Sequence, residues 1–503
     1  MALIREAGEV TKAEGQPLAF RVVRGGLWVA LSSYLNIGFG FLANLVLTRI
    51  LAPEHFGVFA LAGFFFALIN LRPKSGIGQA FAQRPETTGA LAGTHLALDA
   101  TVGLATLALA ALAAPVLRAL GYPASVIWVM LVLAGVGISD SIMATAWLLQ
   151  DKHLLFGRTS LVSSVAFPLS YAPALWLALH GGGYWSLVAQ NATYALLLLV
   201  GMWWSARKHL PEVFAQKWCL DREVAASLLR FGRMVGLASI AAIVATQFDN
   251  LLVGTFVGVA ALGYYDRAYR IAQWPTLLVY SVTTRAAFYT YARLQDDPAR
   301  LQRTVSLSTW LVTIAALPLA LAVFVTAPDL VRLLYGERWL PSALFVRFLA
   351  IYSVLRPLQE AANSLFTAAG RPQRTATVAG SQALTLMMVA TPLTLAWGSV
   401  GTCVGVGISF AVGLAFAHRY MRDTVSVSLV RTLAVPAAAA LVSLGACALV
   451  TRVAQLDALP LLARVASRGA LAAGMFFLVM LALERKRFSA AAGQVLRLLI
   501  SRT

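Results

Sequence analysis

Charged residues are scarce in this chain of 503 residues: only 12% are Asp, Glu, Lys or Arg, whereas 59% are hydrophobic. A soluble domain is about a quarter charged, so this chain has too few charges to cover a water-facing surface. The shortage argues against an ordinary soluble enzyme, a disordered protein and a nucleic-acid-binding domain. The mean hydropathy of +0.75 instead predicts a polytopic helical membrane protein.

Acidic residues and cysteines are also few. The chain has 21 Asp and Glu against 40 Lys and Arg, a net charge of +19. In a membrane protein such an excess belongs to cytoplasmic loops that face anionic headgroups, and an anionic substrate is a second use for it. The 3 cysteines show no CxxC or Cys/His spacing, so we expect no metal site, no disulfide framework and no cofactor.

Long apolar segments dominate what is present. Fourteen of them are long enough, or nearly so, to cross about 30 Å of hydrocarbon. If the N-terminus is cytoplasmic, 28 Lys and Arg fall on the inside, 6 on the outside and 6 in or beside the segments. The positive-inside rule then predicts cytoplasmic termini and an even number of helices. The segments are 27–48, 56–71, 89–114, 124–149, 158–180, 183–204, 233–257, 262–290, 304–327, 341–369, 373–396, 398–418, 432–450 and 464–484.

A sequence repeat relates the regions before and after the longest loop, 205–232. At an offset of 206 residues, Asn44–Leu47 aligns with Asn250–Val253, and Gly57–Phe59 aligns with Gly263–Tyr265. In both copies an apolar helix ends, a short outside turn follows, and glycine with an aromatic residue opens the next helix. Because helices 1 and 7 start on the same side, the repeat is parallel. Transporters use such repeats to build two lobes around a cavity.

Three runs of sequence resemble oligosaccharide flippases. They are LTRILAPEHFGVFAL at 47–61, DNLLVG at 249–254 with LGYY at 262–265, and LFTAAGRP at 365–372. Together they resemble the polysaccharide-transporter (Wzx-type) branch of the multidrug/oligosaccharidyl-lipid/polysaccharide exporter superfamily, over about residues 20–420. One departure is RPKSGIG at 72–78, where the family usually has an acid and a glycine before its turn. No role of that acid is carried over.

The resemblance implies an all-α polytopic fold of about 14 transmembrane helices, with two pseudo-symmetric six-helix lobes and both termini cytoplasmic. It also implies translocation of undecaprenyl-pyrophosphate-linked oligosaccharide units across the bacterial inner membrane by alternating access, for exopolysaccharide or O-antigen biosynthesis. The expected partner is the lipid-linked oligosaccharide, with other polysaccharide assembly proteins left open and nucleic acid excluded. The expected regions are the N-terminal segment 1–26, the first lobe 27–204, the inter-lobe loop 205–232, the second lobe 233–420, helices 13 and 14 within 421–484, and the tail 485–503.

Arginines in or beside the predicted helices are the candidates for binding this cargo. A guanidinium stays charged and binds phosphate oxygens bidentately, which suits a pyrophosphate that must cross the midplane. Asp266 is expected to balance one of the charges, and anchoring or structural pairing is the alternative role for each arginine. The candidates are Arg267, Arg270 and Arg285 on the eighth helix, Arg356 on the tenth, and Arg24 at the cytoplasmic mouth of the first.

Acids inside the predicted helices are the candidates for ion coupling or gating. A bare charge at the bilayer centre costs about 2.5–3.5 kcal/mol on insertion scales, so each acid should face the protein interior or water. A buried, hydrogen-bonded structural acid is the alternative. Arg356 and Glu360 lie four residues apart on one helix and are expected to pair. The candidates are Asp99, Asp140, Asp249 and Glu360.

Two other functions stay open. The first is a cation-coupled multidrug-type exporter of the same superfamily, although arginines in the spans disfavour it because cationic drugs need an acidic cavity. The second is a membrane polysaccharide polymerase or ligase. Short outside loops disfavour that enzyme, as does the absence of a GxxxxGK phosphate loop or an HExxH motif from the sequence. We therefore expect a transporter and no catalytic residues.

Overall fold

A computed structural model describes the backbone of residues 18–277, 290–425, 429–453 and 455–500. Side chains are described for 28–230, 242–277, 290–425, 432–453 and 455–488. Within these ranges all regular structure is helical, as the composition predicts, and ten helical stretches are long and apolar enough to cross a membrane. The chain forms two compact units, Met1–Ile243 and Val244–Thr503.

The first unit is built from long helices joined by short turns. Its helices are α1 (Leu18–Ile50), α2 (Pro53–Ile69), α3 (Arg72–Ser75), α4 (Ile77–Gln83), α5 (Gly89–Ala119), α6 (Ala124–Lys152), α7 (Phe156–Leu179), α8 (Trp185–His209), α9 (Pro211–Ala215) and α10 (Arg222–Leu252). Helix α5 packs on α6, α7 packs on α8, and α1 packs on α7. Helix α6 also packs on α2 and α8. The division between the two units falls inside α10.

A break between α2 and α4 shapes one end of the first unit. Gly76 ends α3 with φ of 63°, a left-handed conformation that glycine adopts without a Cβ clash. The Lys74 ammonium donates to the carbonyl of Ala67 at 3.1 Å and also to that of Leu68. It thereby satisfies carbonyls that the end of α2 leaves without helical partners. The break turns the chain so that Arg72 faces α5.

The predicted inter-lobe loop is largely structured. It contains α9 and the first turns of α10, and it packs against α5. The Gln216 side-chain oxygen accepts from the Gly89 amide at 2.6 Å, and Thr94 donates to the carbonyl of Cys219 at 3.3 Å. A Cβ on Gly93 would lie 2.8 Å from the Cys219 nitrogen, so glycine permits this close approach. The segment is therefore part of the first unit.

The second unit continues from α10 through a π-helical turn, Val253–Val257. The helices are α11 (Val259–Ala272), α12 (Pro298–Tyr335), α13 (Ser342–Ala368), α14 (Pro372–Thr385), α15 (Thr391–Arg422), α16 (Leu429–Val453) and α17 (Leu461–Ile500). The core of the unit includes Trp310 and Phe476, which are fully buried where α17 packs on α12. A kink at Glu484 interrupts α17.

Residues 372–422 form a closely packed hairpin. The chain reverses at Gly398, inside α15, where φ is 59° and ψ is −143°, so α14 and the start of α15 form one arm and the rest of α15 forms the other. A Cβ on Gly405 would lie 2.4 Å from that of Ala390, and one on Gly413 would meet Gln382. The GxxxG spacing of 401–405 predicts such packing, and the structure confirms it. At Gly407, nothing lies within 4 Å of a Cβ.

The ten apolar stretches and the fourteen predicted segments differ at four places. Segments 373–396 and 398–418 fall in the single stretch Pro372–Arg422, which contains the hairpin. Segment 233–257 retains only a shorter apolar helix, Ala242–Val257. Segment 262–290 extends beyond the described residues, and segment 341–369 coincides with α13 but is not among the ten stretches. Helices α2 and α11 begin at Pro53 and Val259. These two starting positions are separated by the same 206 residues as the two copies of the sequence repeat.

Candidate functional site

A buried acid and a buried tyrosine form the centre of a polar cluster in the second unit. The Tyr265 hydroxyl on α11 donates to the Asp249 carboxylate on α10 at 2.6 Å. The other Asp249 oxygen accepts from the Asn250 amide at 3.0 Å. Asp249 is 4% exposed and Tyr265 is 0% exposed. Asp249 is thus hydrogen-bonded within the protein, as the cost of a charge in lipid requires.

Aromatic rings connect this pair to Arg356 on α13. The ring centroids of Tyr265 and Tyr269 are 6.1 Å apart, and those of Tyr269 and Tyr352 are 5.2 Å apart. Arg356 donates to the Tyr352 hydroxyl and lies over its ring, 5.8 Å from the centroid. We call Tyr265, Tyr269 and Tyr352 the tyrosine cluster. It links α10, α11 and α13.

Arg356 and Glu360, which were expected to pair, do not form a contact ion pair among the described residues. Among the described residues, Arg356 is in no ion pair, and its guanidinium bonds the neutral Tyr352 hydroxyl. Glu360 instead accepts weakly from Asn363 at 3.5 Å. The i,i+4 spacing puts the two charges on one face, but a tyrosine one turn earlier offers Arg356 a nearer acceptor.

One carboxylate serves two arginines on α11. Asp266 accepts from Arg267 at 2.5 Å and 2.9 Å, and from Arg270 at 3.4 Å. The expected role of Asp266 as a counter-charge is therefore confirmed. The Arg267 side chain is 3% exposed, whereas that of Arg270 is 53% exposed. Arg270 is thus the accessible member of this group.

The two copies of the repeated hairpin differ in polarity at this place. At the offset of 206 residues, Asp249 corresponds to Ala43 and Tyr265 to Phe59. Likewise, Arg267 corresponds to the fully buried Leu61. Ala43 is also buried. The second copy therefore holds buried polar groups where the first is apolar.

The first unit contains a separate polar site at the break after α2. The Arg72 Nε contacts the Asp99 carboxylate at 3.4 Å, and Asp99 is 3% exposed at its side chain. Both residues line a cavity of about 480 Å³. One turn before Asp99, the buried His95 bonds Thr145 at 2.8 Å through Nδ1. Asp99 was expected from the sequence, whereas its partner Arg72 was missed.

The remaining predicted residues are less constrained by the structure. Asp140 is half-buried on α6, and no hydrogen bond or ion pair is recorded for its side chain in the described part of the chain. Arg24 lies in α1, but its side chain is outside the described residues, as is the whole of Arg285. The structure thus joins Asp249 and Arg356 through the tyrosine cluster, with the Asp266 group next to it in the chain, whereas Asp99 belongs to the first unit. In the described ranges, no three metal-ligating side chains are grouped.

Known proteins resemble the chain in sequence over much of its length. A family model described as "Polysaccharide biosynthesis protein" matches residues 46–344. The succinoglycan biosynthesis transport protein ExoT of Rhizobium meliloti is 28% identical over 324 residues, 63% of this chain and 63% of ExoT. The lipopolysaccharide biosynthesis protein WzxC of Escherichia coli is 25% identical over 362 residues, 70% of each chain. The chain thus spans less than two thirds of ExoT.

Solved structures resemble the fold. The lipid II flippase MurJ, in an inward closed conformation, superposes with a TM-score of 0.72 at 11% identity, covering 92% of this chain and 99% of that one. A multidrug resistance MATE family transporter of the MOP superfamily gives a TM-score of 0.60 at 16% identity, covering 76% and 94%. At these identities the likeness concerns the fold alone.

These findings agree with the resemblance seen in the sequence motifs. The fold resembles those of the flippase MurJ and of the MATE family transporter. Ten apolar helices within the described residues, together with bacterial polysaccharide-transport relatives, assign the chain to the inner membrane as a multi-pass protein. Because the family model covers more than half of the sequence, the chain belongs to the polysaccharide biosynthesis protein family.

Proposed function

We propose that the chain is a flippase that moves undecaprenyl-pyrophosphate-linked oligosaccharide units across the inner membrane by alternating access, for exopolysaccharide or O-antigen biosynthesis. The proposal includes fourteen transmembrane helices, two six-helix lobes, and cytoplasmic termini set by the distribution of Lys and Arg. It assigns no chemical reaction to the protein. The names of the relatives, a succinoglycan transport protein and a lipopolysaccharide biosynthesis protein, support the class of cargo.

The proposal rests on two arginines of the second unit. Arg356 bonds a neutral hydroxyl, and the Arg270 side chain is 53% exposed and so open to a passing ligand. Positive charge in a membrane helix is costly unless an anion or water compensates it. A pyrophosphate passing these residues supplies that anion and accepts bidentate hydrogen bonds. Positive charge of this kind disfavours a cationic drug as cargo.

We propose that acidic residues in the helices couple transport to an ion or gate the cavity. Asp249 is held by Tyr265 between α10 and α11, so a change in its protonation or partner would alter how these helices pack. Asp99, Asp140 and Glu360 remain candidates for the same role. Arg24 and Arg285 remain candidates for phosphate contact on the basis of sequence alone.

The test is export in cells that lack the chromosomal copy. We expect Arg356→Gln to reduce surface polysaccharide by about tenfold or more, because one charge-assisted contact is worth about 1.5–3 kcal/mol. Lipid-linked intermediate should accumulate while the protein still reaches the membrane. Arg356→Lys should retain part of the activity, since the charge remains but the bidentate fork is lost.

The matched control is Arg300→Gln. Arg300 belongs to the same unit, and its side chain is 74% exposed beside Asp297, so export should be unchanged. Normal polysaccharide and normal intermediate levels in both Arg356→Gln and Arg270→Gln would contradict the proposed arginine path.

A further inference from the structure

A cavity of about 480 Å³ lies within the first unit, between the break after α2 and helices α5 and α6. Arg72, Gln79 and Asp99 line it with polar groups, and Met143 and Trp147 line it with apolar ones. We propose that this cavity binds a sugar ring of the lipid-linked cargo. This inference rests on the proposed function and adds a glycan subsite distinct from the arginines of the second unit.

The polar groups of the cavity match a sugar's hydroxyls. The Asp99 carboxylate accepts hydrogen bonds, while the Arg72 guanidinium and the Gln79 amide donate them, and a hydroxyl does both. The Arg72–Asp99 contact of 3.4 Å is long for a charge-assisted bond, which is about 2.7–2.9 Å. It is the one bond recorded for the Arg72 side chain in the described residues, and none is recorded for the side chain of Gln79. Both groups therefore have donors left for a ligand.

The apolar wall matches the C–H face of a sugar ring. The Trp147 indole donates from Nε1 to the Asp151 carboxylate at 2.9 Å, which restrains the ring where it borders the cavity. Met143 adds a polarisable, adaptable surface beside it. Small-ligand pockets have volumes of about 300–1,000 Å³, so this one takes part of a glycan and not the whole lipid-linked unit.

Other parts of the cargo fit this cavity poorly. A pyrophosphate would meet the Asp99 carboxylate, and with only Arg72 opposite, no net positive charge remains to attract it. A polyprenyl tail would remove water from the carboxylate, guanidinium and amide without replacing their hydrogen bonds. A neutral polyhydroxylated ring avoids both costs. The cavity also lies near the predicted cytoplasmic end of α5, where a newly made glycan would be loaded.

The experiment is photocrosslinking in cells that export the polysaccharide. A p-benzoylphenylalanine replaces Leu148, which borders the cavity and is given no hydrogen bond to the sugar, or Leu112, which lies on the same helix as Asp99 and is 69% exposed. After irradiation, mild acid cleaves the bond between sugar and pyrophosphate, and mass spectrometry identifies what stays attached to the protein. We expect a glycan on the Leu148 probe and none on the Leu112 probe.

Asp99→Leu and Trp147→Ala then test the lining residues with the Leu148 probe in place. Each should lower the glycan adduct by about tenfold, since each removes one ligand contact worth about 1–3 kcal/mol. Lipid without sugar at the Leu148 probe, or no adduct, in cells with normal export would overturn the glycan subsite while leaving the proposed function intact. Loss of the protein with unchanged intermediates and export would instead refute the proposed function.

Discussion

The second copy of the repeated hairpin has the polar pair Asp249 and Tyr265 where the first copy has two apolar residues. Replacing the polar pair with the apolar residues should show whether the pair is structural or functional. Asp249→Ala together with Tyr265→Phe reproduces the residues that the repeat holds at Ala43 and Phe59. Each single change leaves a buried group without its partner, because Asp249 is 4% exposed and Tyr265 is 0% exposed. The double change removes both groups at once.

The expected magnitudes follow from the 2.6 Å bond between the two side chains. Stranding a buried donor or acceptor costs about 1–3 kcal/mol, although hydrogen bonds between membrane helices average about 0.6 kcal/mol. Asp249 keeps its bond from the Asn250 amide, so Tyr265→Phe should fall in the lower part of this range. We expect the double variant to be more stable than the sum of the two single losses predicts, by about 1 kcal/mol or more.

The assay combines thermal stability of the purified protein with export in cells. A loss of about 1 kcal/mol corresponds to about 2–4 °C in Tm for a domain of 150–250 residues. We expect the Tm of the double variant to be higher than the two single losses predict when added together. We also expect it to export little polysaccharide, because the coupling or gating acid is gone. Strictly additive losses in stability would refute the pairing argument. Full export by the double variant would refute a functional role for Asp249.

Three further predictions concern topology and packing. Cys219 is exposed and predicted to be cytoplasmic, so an impermeant thiol reagent should label it in inside-out vesicles and not in intact cells; labelling in intact cells would reverse the orientation. Gly405→Ala should lower folded yield, because its Cβ would lie 2.4 Å from a neighbouring Cβ, whereas Gly407→Ala should be harmless; equal yields would argue against the close hairpin. The side-chain amides of Gln359 and Gln382 form two hydrogen bonds with each other, at 2.9 Å and 2.6 Å. Gln359→Leu should therefore lower the stability by about 1–2 kcal/mol in thermal unfolding, and an unchanged Tm would indicate that these hydrogen bonds add nothing.

The sequence predicts the fold well because membrane helices leave a strong local signal. Apolar length and the spacing of Lys and Arg do not depend on tertiary contacts. The signal weakens where helices carry polar groups for a reason other than spanning. Segment 341–369, which contains Arg356 and Glu360, coincides with α13 but is not among the apolar stretches. The inter-lobe loop looks like a linker by charge, but its packing depends on glycines of α5 that no local pattern reveals.

For the candidate site, the sequence identifies single charged residues better than it identifies their partners. A charge in an apolar run identifies Asp99, Asp249 and Arg356, because such charges are costly in lipid. Their partners depend on geometry. Arg72 approaches Asp99 where α2 has ended at Ile69 and a short new helix begins at Arg72, and helical spacing alone does not reveal that break. Tyr265 was within reach of sequence reasoning, since the repeat aligns it with an apolar residue just as it aligns Asp249 with one.

The most direct test of the central claim is the sidedness of lipid-linked oligosaccharide in spheroplasts, with and without the protein. Periodate added outside oxidises only sugars exposed on the outer leaflet, and the oxidised fraction is read by mass spectrometry of the lipid extract. With polymerisation blocked in both strains, we expect most of the intermediate to be oxidised when the protein is present and most to be protected when it is absent. Equal oxidation in the two strains would contradict a flippase function.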